Sequence, residues 1–216
     1  MQLSEVRLPR IGKIISVNPD GTYEQGLIPG LGGPFNTATE FFKAWAATAQ
    51  FGLTADKLRS ACGNYFDELL PSISSFPNSI AALASELSKQ GYGPFPLCHG
   101  DFGHNNVVVD DDYKVLGVID WEMAFAGPWE ILGNFPLTLS VVPPAMDVPW
   151  DYDESGRPKD PELAQRFAEQ DDYIAAVRQE ETRKGLRDRY LSDALADTKR
   201  QQLMMAMRLS TNGKAG

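Results

Sequence analysis

The chain is short of the residues on which many compact proteins hang their chemistry. It has two cysteines, Cys62 and Cys98, and two histidines, His99 and His104, in 216 residues. The cysteines are far apart and lack CxxC spacing, which excludes a disulfide framework and a thiolate zinc site and points to a reducing, cytoplasmic setting. Positive charge is scarce too, with 20 Lys and Arg against 29 Asp and Glu and a formal net charge of −9. With no basic stripe to offset the repulsion, nucleic-acid and anionic-membrane partners are excluded, and an anionic ligand would need a local device such as a metal ion. No stretch approaches the roughly 18 consecutive apolar residues of a membrane span. The opening MQLSEVRLPR puts Glu5, Arg7 and Pro9 where a signal peptide needs its apolar core. A glycine-rich phosphate loop is also missing. The segment PGLGGPF fits neither nucleotide-binding glycine pattern and is flanked by prolines, so it reads as a plain loop.

What remains suits at least one buried core, in one substantial domain or two small ones, since 43% of the residues are hydrophobic. Two β-prone runs around Asn18, Pro19, Asp20 and Gly21 predict a hairpin over residues 12 to 27. Thr37 or Thr39 caps a helix whose Phe41, Phe42, Trp45 and Ala46 recur at helical spacing. Further helices are expected at about 54 to 70 and 79 to 89, the latter opening after Pro77 and Asn78 with Ile80, Leu83 and Leu87 on one face. Val107 to Val109 and Val115 to Ile119 read as two strands, with Asp110, Asp111 and Asp112 as their solvated turn. A proline-rich section follows. Asp160 then caps a long helix with Pro161 at its first position and Leu163, Phe167, Ile174 and Val177 as its buried stripe. A final helix is expected from about Arg187 to Leu209, carrying Leu191, Leu195, Thr198 and Met205 on one side. The segment DYDESGRPKDPE imitates a calcium loop, but Ser155 departs from the pattern and Pro158 and Pro161 stiffen it, so it reads as a surface loop.

Both histidines fall inside CHGDFGHNN, residues 98 to 106. His99, Asp101 and Asn106 stand in the order H-x-D-x-x-x-x-N, the spacing of a phosphoryl-transfer catalytic loop. After the two strands comes GVIDWE, an apolar run that ends on Asp120. Phosphoryl transfer needs a carboxylate to orient the incoming hydroxyl and accept its proton, and oxygen ligands to hold Mg²⁺ against the phosphates. Asp101 suits the first task. Asn106 and Asp120 suit the second, because a hairpin returns the far ends of its strands to each other.

HGDFGHNN followed by VIDWE resembles the catalytic core of the aminoglycoside phosphotransferase and choline kinase family, whose fold is that of the protein kinases. His99, Gly100, Asp101 and Asn106 match the family's loop; Ile119, Asp120 and Glu122 match its metal-binding segment. The resemblance implies ATP and Mg²⁺ as cofactors, a small-molecule hydroxyl as acceptor, Asp101 as catalytic aspartate, Asn106 and Asp120 as magnesium ligands, and His99 as a structural anchor. Glu122 would assist the metal or the substrate. His104 falls one place after the position where relatives often carry a histidine and receives no role.

The expected fold class is α+β: a kinase-like C-terminal lobe over residues 1 to 210, mainly helical with short β-hairpins around the loop, then a frayed tail at 211 to 216. The resemblance also requires an N-terminal lobe with a phosphate-binding lysine. Lys13 is the sole lysine before Lys43 and its hairpin is too short to be that lobe, so the lobe is expected to be absent. Two main functions therefore stay open. One is an ATP-dependent phosphotransferase represented by its C-terminal lobe; the other is a non-catalytic lobe that binds partners or self-associates through the face such a lobe would cover. A metal-dependent hydrolase built on Asp101 and Asp120 is a third. Trp121, Trp129, Trp150 and Tyr152 are expected in the core, with a cation-binding pocket as the alternative.

Overall fold

The computed structural model describes residues 2–147, 149–186 and 188–212. It is α+β, with helices outweighing three small antiparallel sheets. In chain order, a short helix α1 (Gln2–Glu5) and strand β1 (Arg7–Leu8) precede the hairpin β2 (Lys13–Val17) and β3 (Tyr23–Gly26). Helices α2 (Ala38–Thr48), α3 (Ala55–Cys62) and α4 (Phe66–Leu83) follow, then strand β4 (Phe95–Cys98). A second hairpin, β5 (Val107–Val109) and β6 (Val115–Val118), leads to β7 (Phe125–Ala126) and a helical turn α5 (Trp129–Leu132). Helices α6 (Pro161–Arg183), α7 (Tyr190–Ala196) and α8 (Thr198–Asn212) complete the fold. No helix among the described residues is long and apolar enough to cross a membrane.

Helix α2 shows how sequence becomes core. Thr37 accepts the Glu40 N–H while the Glu40 side chain reaches back to the Thr37 N–H, a reciprocal cap that satisfies two donors at the helix start. The helix then presents Phe41 and Phe42 inward, where their rings meet edge to face at 5.4 Å. They pack with Leu8, Ile11, Ile80, Ala84, Phe95 and Ala126, and with Met204 and Met207 of α8. Full burial of each ring contributes about 1.5–3 kcal/mol. A smaller cluster of Val177, Leu191 and Leu195 joins α6 to α7. β4 is the middle strand of the first sheet, with β1 and β7 antiparallel on either side. That arrangement carries the chain straight from the core into residue 99.

Three expectations about helices change. The helices expected at 54 to 70 and 79 to 89 are instead α3 and a single α4 that runs through Pro71 and Pro77. Each proline removes an amide donor, yet Phe66, Phe76, Ile80 and Ala84 all turn toward the core, and that shared face keeps the helix continuous. The single terminal helix is two helices, because Asp197 leaves the helical region (φ −80°, ψ 92°) and its carboxylate accepts the Arg200 N–H to start α8. Its expected start at Arg187 lies outside the described residues; of the frayed tail expected at 211 to 216, residues 211 and 212 instead continue α8, and 213 to 216 lie outside the described residues. The tryptophan expectation splits: Trp129 and Tyr152 are buried, whereas Trp121 and Trp150 are exposed.

Candidate active site

Strand β4 delivers the chain into a loop whose first side chain, His99, is 2% exposed. The Asp101 N–H donates to His99 Nδ1 at 3.4 Å, which makes that nitrogen an acceptor. The hydrogen-bond network therefore assigns the ring proton to Nε2, which donates to the Ile119 carbonyl at 2.8 Å. The ring also packs on Trp121 with centroids 4.7 Å apart. Next to it, Gly100 adopts φ 85°. A Cβ there would lie 2.4 Å from the Met123 carbonyl oxygen, so a glycine is what lets the loop press against the turn after β6.

The far end of the loop is a single 3-10 turn, His104–Asn106. Asn106 is 4% exposed, and its amide nitrogen donates to the Asp101 carbonyl at 2.8 Å and to Asp101 Oδ2 at 3.1 Å. One carboxylate oxygen of half-buried Asp101 is thus oriented by Asn106. The amide oxygen of Asn106 accepts a 3.3 Å bond from Asn105. Strands β5 and β6 then close the circuit: Val107 pairs with Val118, and the Ile119 N–H donates to the Asn106 carbonyl. Ile119 is bonded to both His99 and Asn106, so residue 120 starts beside the loop.

Asp120 sits in the left-handed region (φ 62°, ψ 60°), which costs a residue other than glycine roughly 1–2 kcal/mol. The turn it opens is held from several sides. Trp121 Nε1 donates to the Val118 carbonyl at 2.8 Å, and the Lys13 ammonium donates to the Glu122 carbonyl at 2.5 Å. Every one of these bonds uses backbone carbonyls. Among the described residues no hydrogen bond engages the Asp120 carboxylate, and no ion pair reaches Asp101 or Asp120.

A strained turn that presents an uncommitted carboxylate, with a buried amide oxygen on the adjoining loop, is an oxygen-only donor set. It fits a hard cation such as Mg²⁺, which takes few protein ligands and keeps waters and phosphate oxygens for the rest. Among the described residues no group of three or more His, Cys, Asp or Glu could hold a metal, so the remaining ligands would come from water and phosphate.

The remaining candidates fall elsewhere. His104 bonds through its backbone N–H and ring Nδ1 to the Thr138 hydroxyl, away from Asp101's carboxylate. The acidic run is a turn, with Asp110 Oδ1 accepting from the N–H groups of Asp112 and Lys114. In the calcium-loop imitation, Asp153 Oδ1 accepts from Ser155 and Arg157, and the Ser155 hydroxyl holds its carboxyl below the usual range. A cavity of about 270 Å³ lies between the 134–144 segment and helices α6 to α8, lined by Phe135, Phe167, Asp171 and Met205 among others; Asp101, Asn106 and Asp120 are not in its walls. Lys13 is the residue that motif reading leaves out. Its partner is a backbone carbonyl 109 positions away, which no spacing rule announces.

No curated protein and no solved structure matches the chain. Residues 37–131, which hold the whole of the loop and the Asp120 turn, match the model of the phosphotransferase enzyme family, the family that the loop motifs resemble.

Proposed function

We propose that the chain is an ATP-dependent phosphotransferase acting on a hydroxyl of a small molecule, folded as a kinase-like C-terminal lobe and residing in the cytoplasm. The observation that carries this reading is the pairing of an Asn106-oriented Asp101 carboxylate with an uncommitted Asp120 on a strained, backbone-clamped turn. Asp101 orients the acceptor hydroxyl and receives its proton as the acceptor oxygen bonds to the terminal phosphorus. The bond from that phosphorus to the bridging oxygen breaks, and its electron pair leaves with ADP. His99, buried, anchors the loop through its two ring nitrogens. Asn106 and Asp120 are the side chains that would hold Mg²⁺, which when bound neutralises charge on the phosphates. Without such a cation, an acidic surface of net charge −9 repels a nucleotide.

The test is nucleotide protection. ATP with Mg²⁺ should raise the unfolding temperature of the wild type, ATP with EDTA should not, and Asp120→Asn should abolish the shift. Equal protection of wild type and Asp120→Asn would refute the assignment.

A second reading has its own support. The two hairpins carry exposed apolar side chains, with Val17 68%, Leu116 65% and Ile119 51% exposed. Apolar surface of this kind suits a lobe that self-associates or binds another protein without catalysis. Sedimentation that shows ATP-independent self-association, in a sample with no nucleotide protection, would favour it.

A further inference from the structure

Lys13 lies at the start of β2, directly after Gly12, where the chain entering the N-terminal hairpin is bonded into the sheet that carries the candidate site. Gly12 and Ala126 exchange two backbone hydrogen bonds, 3.0 Å from the Gly12 N–H and 2.9 Å back to its carbonyl. A side chain at position 12 would instead crowd the hairpin's second strand and the loop after it, since a Cβ there would sit 2.5 Å from the Gly26 carbonyl and 3.0 Å from Pro34. The paired backbone bonds dock the chain at Gly12 against β7, and the next residue starts from that position. From there the Lys13 ammonium reaches the Glu122 carbonyl. In a chain with nine more acids than bases, no carboxylate among the described residues pairs with this cation.

That carbonyl belongs to the 3-10 turn Trp121–Met123, which Asp120 opens in its left-handed conformation. The other clamps act earlier or later in the segment: His99 on Ile119, Trp121 on Val118, and Gly100 against Met123. Among the described residues, Lys13 is the hydrogen-bond donor that reaches the turn from outside the catalytic loop and the β5–β6 hairpin. A charged donor on a carbonyl is about twice as strong as a neutral one.

We propose that Lys13 is a positioning residue for metal binding: by holding the Glu122 carbonyl it fixes the Asp120 turn in the geometry that receives a divalent cation. The proposal rests on the phosphotransferase reading of Asp120, and the experiment separates the two. Mn²⁺ is titrated into the full 216-residue chain and free Mn²⁺ is followed by electron paramagnetic resonance, for wild type, Asp120→Asn, Lys13→Met and Lys13→Arg. Outer partners that orient metal ligands typically change affinity about 10- to 100-fold. The expected result is Mn²⁺ binding by wild type, none by Asp120→Asn, a weakening of about tenfold or more in Lys13→Met, and substantial rescue in Lys13→Arg, whose guanidinium can still donate to the carbonyl. Thermal unfolding is measured on the same samples.

If Lys13→Met binds Mn²⁺ as the wild type does, the role of Lys13 is refuted while Asp120 keeps its assignment. A Lys13→Met variant with lower thermal stability but unchanged affinity would show a merely structural contact and would also refute it. Absence of Mn²⁺ binding by the wild type would overturn the metal reading itself, and the Lys13 role with it.

Discussion

Gly100 offers the sharpest test of how the loop is built. Replacing it with alanine adds one methyl group at φ 85°, a conformation that costs an L residue about 1–2 kcal/mol. The new Cβ would lie 2.4 Å from the Met123 carbonyl oxygen and 2.8 Å from its Cβ, about 1 Å inside ordinary contact. The nearest obstacle is backbone, so relief requires either the loop or the Asp120 turn to move. Overpacking of that kind costs about 1–3 kcal/mol, which brings the expected total to about 2–5 kcal/mol. Gly103, in the same loop, is the control. Its φ of −145° is open to any residue, and its added Cβ would meet the Asn105 side-chain oxygen, which can rotate away. Gly103→Ala should therefore cost less than about 1 kcal/mol. Urea unfolding of the two variants gives the stabilities, and Mn²⁺ titration shows whether the Asp120 turn has shifted. A Gly100→Ala variant within about 1 kcal/mol of wild type, or no more costly than Gly103→Ala, would refute the argument that close approach of loop and turn defines this site.

Two further perturbations follow from buried groups. Burial pushes the Cys98 thiol up to about 12, whereas Cys62 is only partly buried. A disulfide reagent at pH 8 should therefore label one thiol in the native chain and two after denaturation. Because the folded thiol titrates above its unfolded value, this contribution to stability is intact below pH ~9 and is lost as pH rises toward 12, which pH-dependent urea unfolding of wild type against Cys98→Ala would detect. Glu130 is 1% exposed, accepts from Ser88 and the Lys89 N–H, and faces Arg200 at 3.7 Å. Glu130→Ala should cost about 3–5 kcal/mol in chemical denaturation, because it leaves Arg200 without this buried partner; a cost under 1 kcal/mol would show that the cluster is incidental.

The parts of the fold legible in the sequence are those decided locally. The capping box at Thr37, the turn chemistry at Asn18 to Gly21 and the Asp160 cap before Pro161 each place several chemical signals within a few residues, and each element is found. Elements decided by distant packing were less legible. Two prolines within α4 read locally as a break, but the helix stays whole because its apolar face is buried against α2 and α8. Pro96 hides β4 in the same way. Its missing N–H goes unneeded, while Leu97 donates to the Val6 carbonyl and β1 and β7 supply the pairing.

The candidate site divides along the same line. Its side chains lie within residues 98 to 122, so one hairpin suffices to bring them together, and the Val107 to Val118 pairing does so. What holds the turn in place is less local. Lys13 reaches it from 109 positions away, and the bond ends on a carbonyl, a group every residue carries. A spacing motif records side-chain identity and therefore cannot register such a contact. The clue at position 12 is legible only afterwards: Gly12 precedes a lysine at the start of a strand, and a Cβ there would meet the Gly26 carbonyl and Pro34, neighbours that only the folded hairpin and loop bring close. In this chain the candidate residues are written in sequence, and the Lys13 bond on the Asp120 turn is written in backbone geometry.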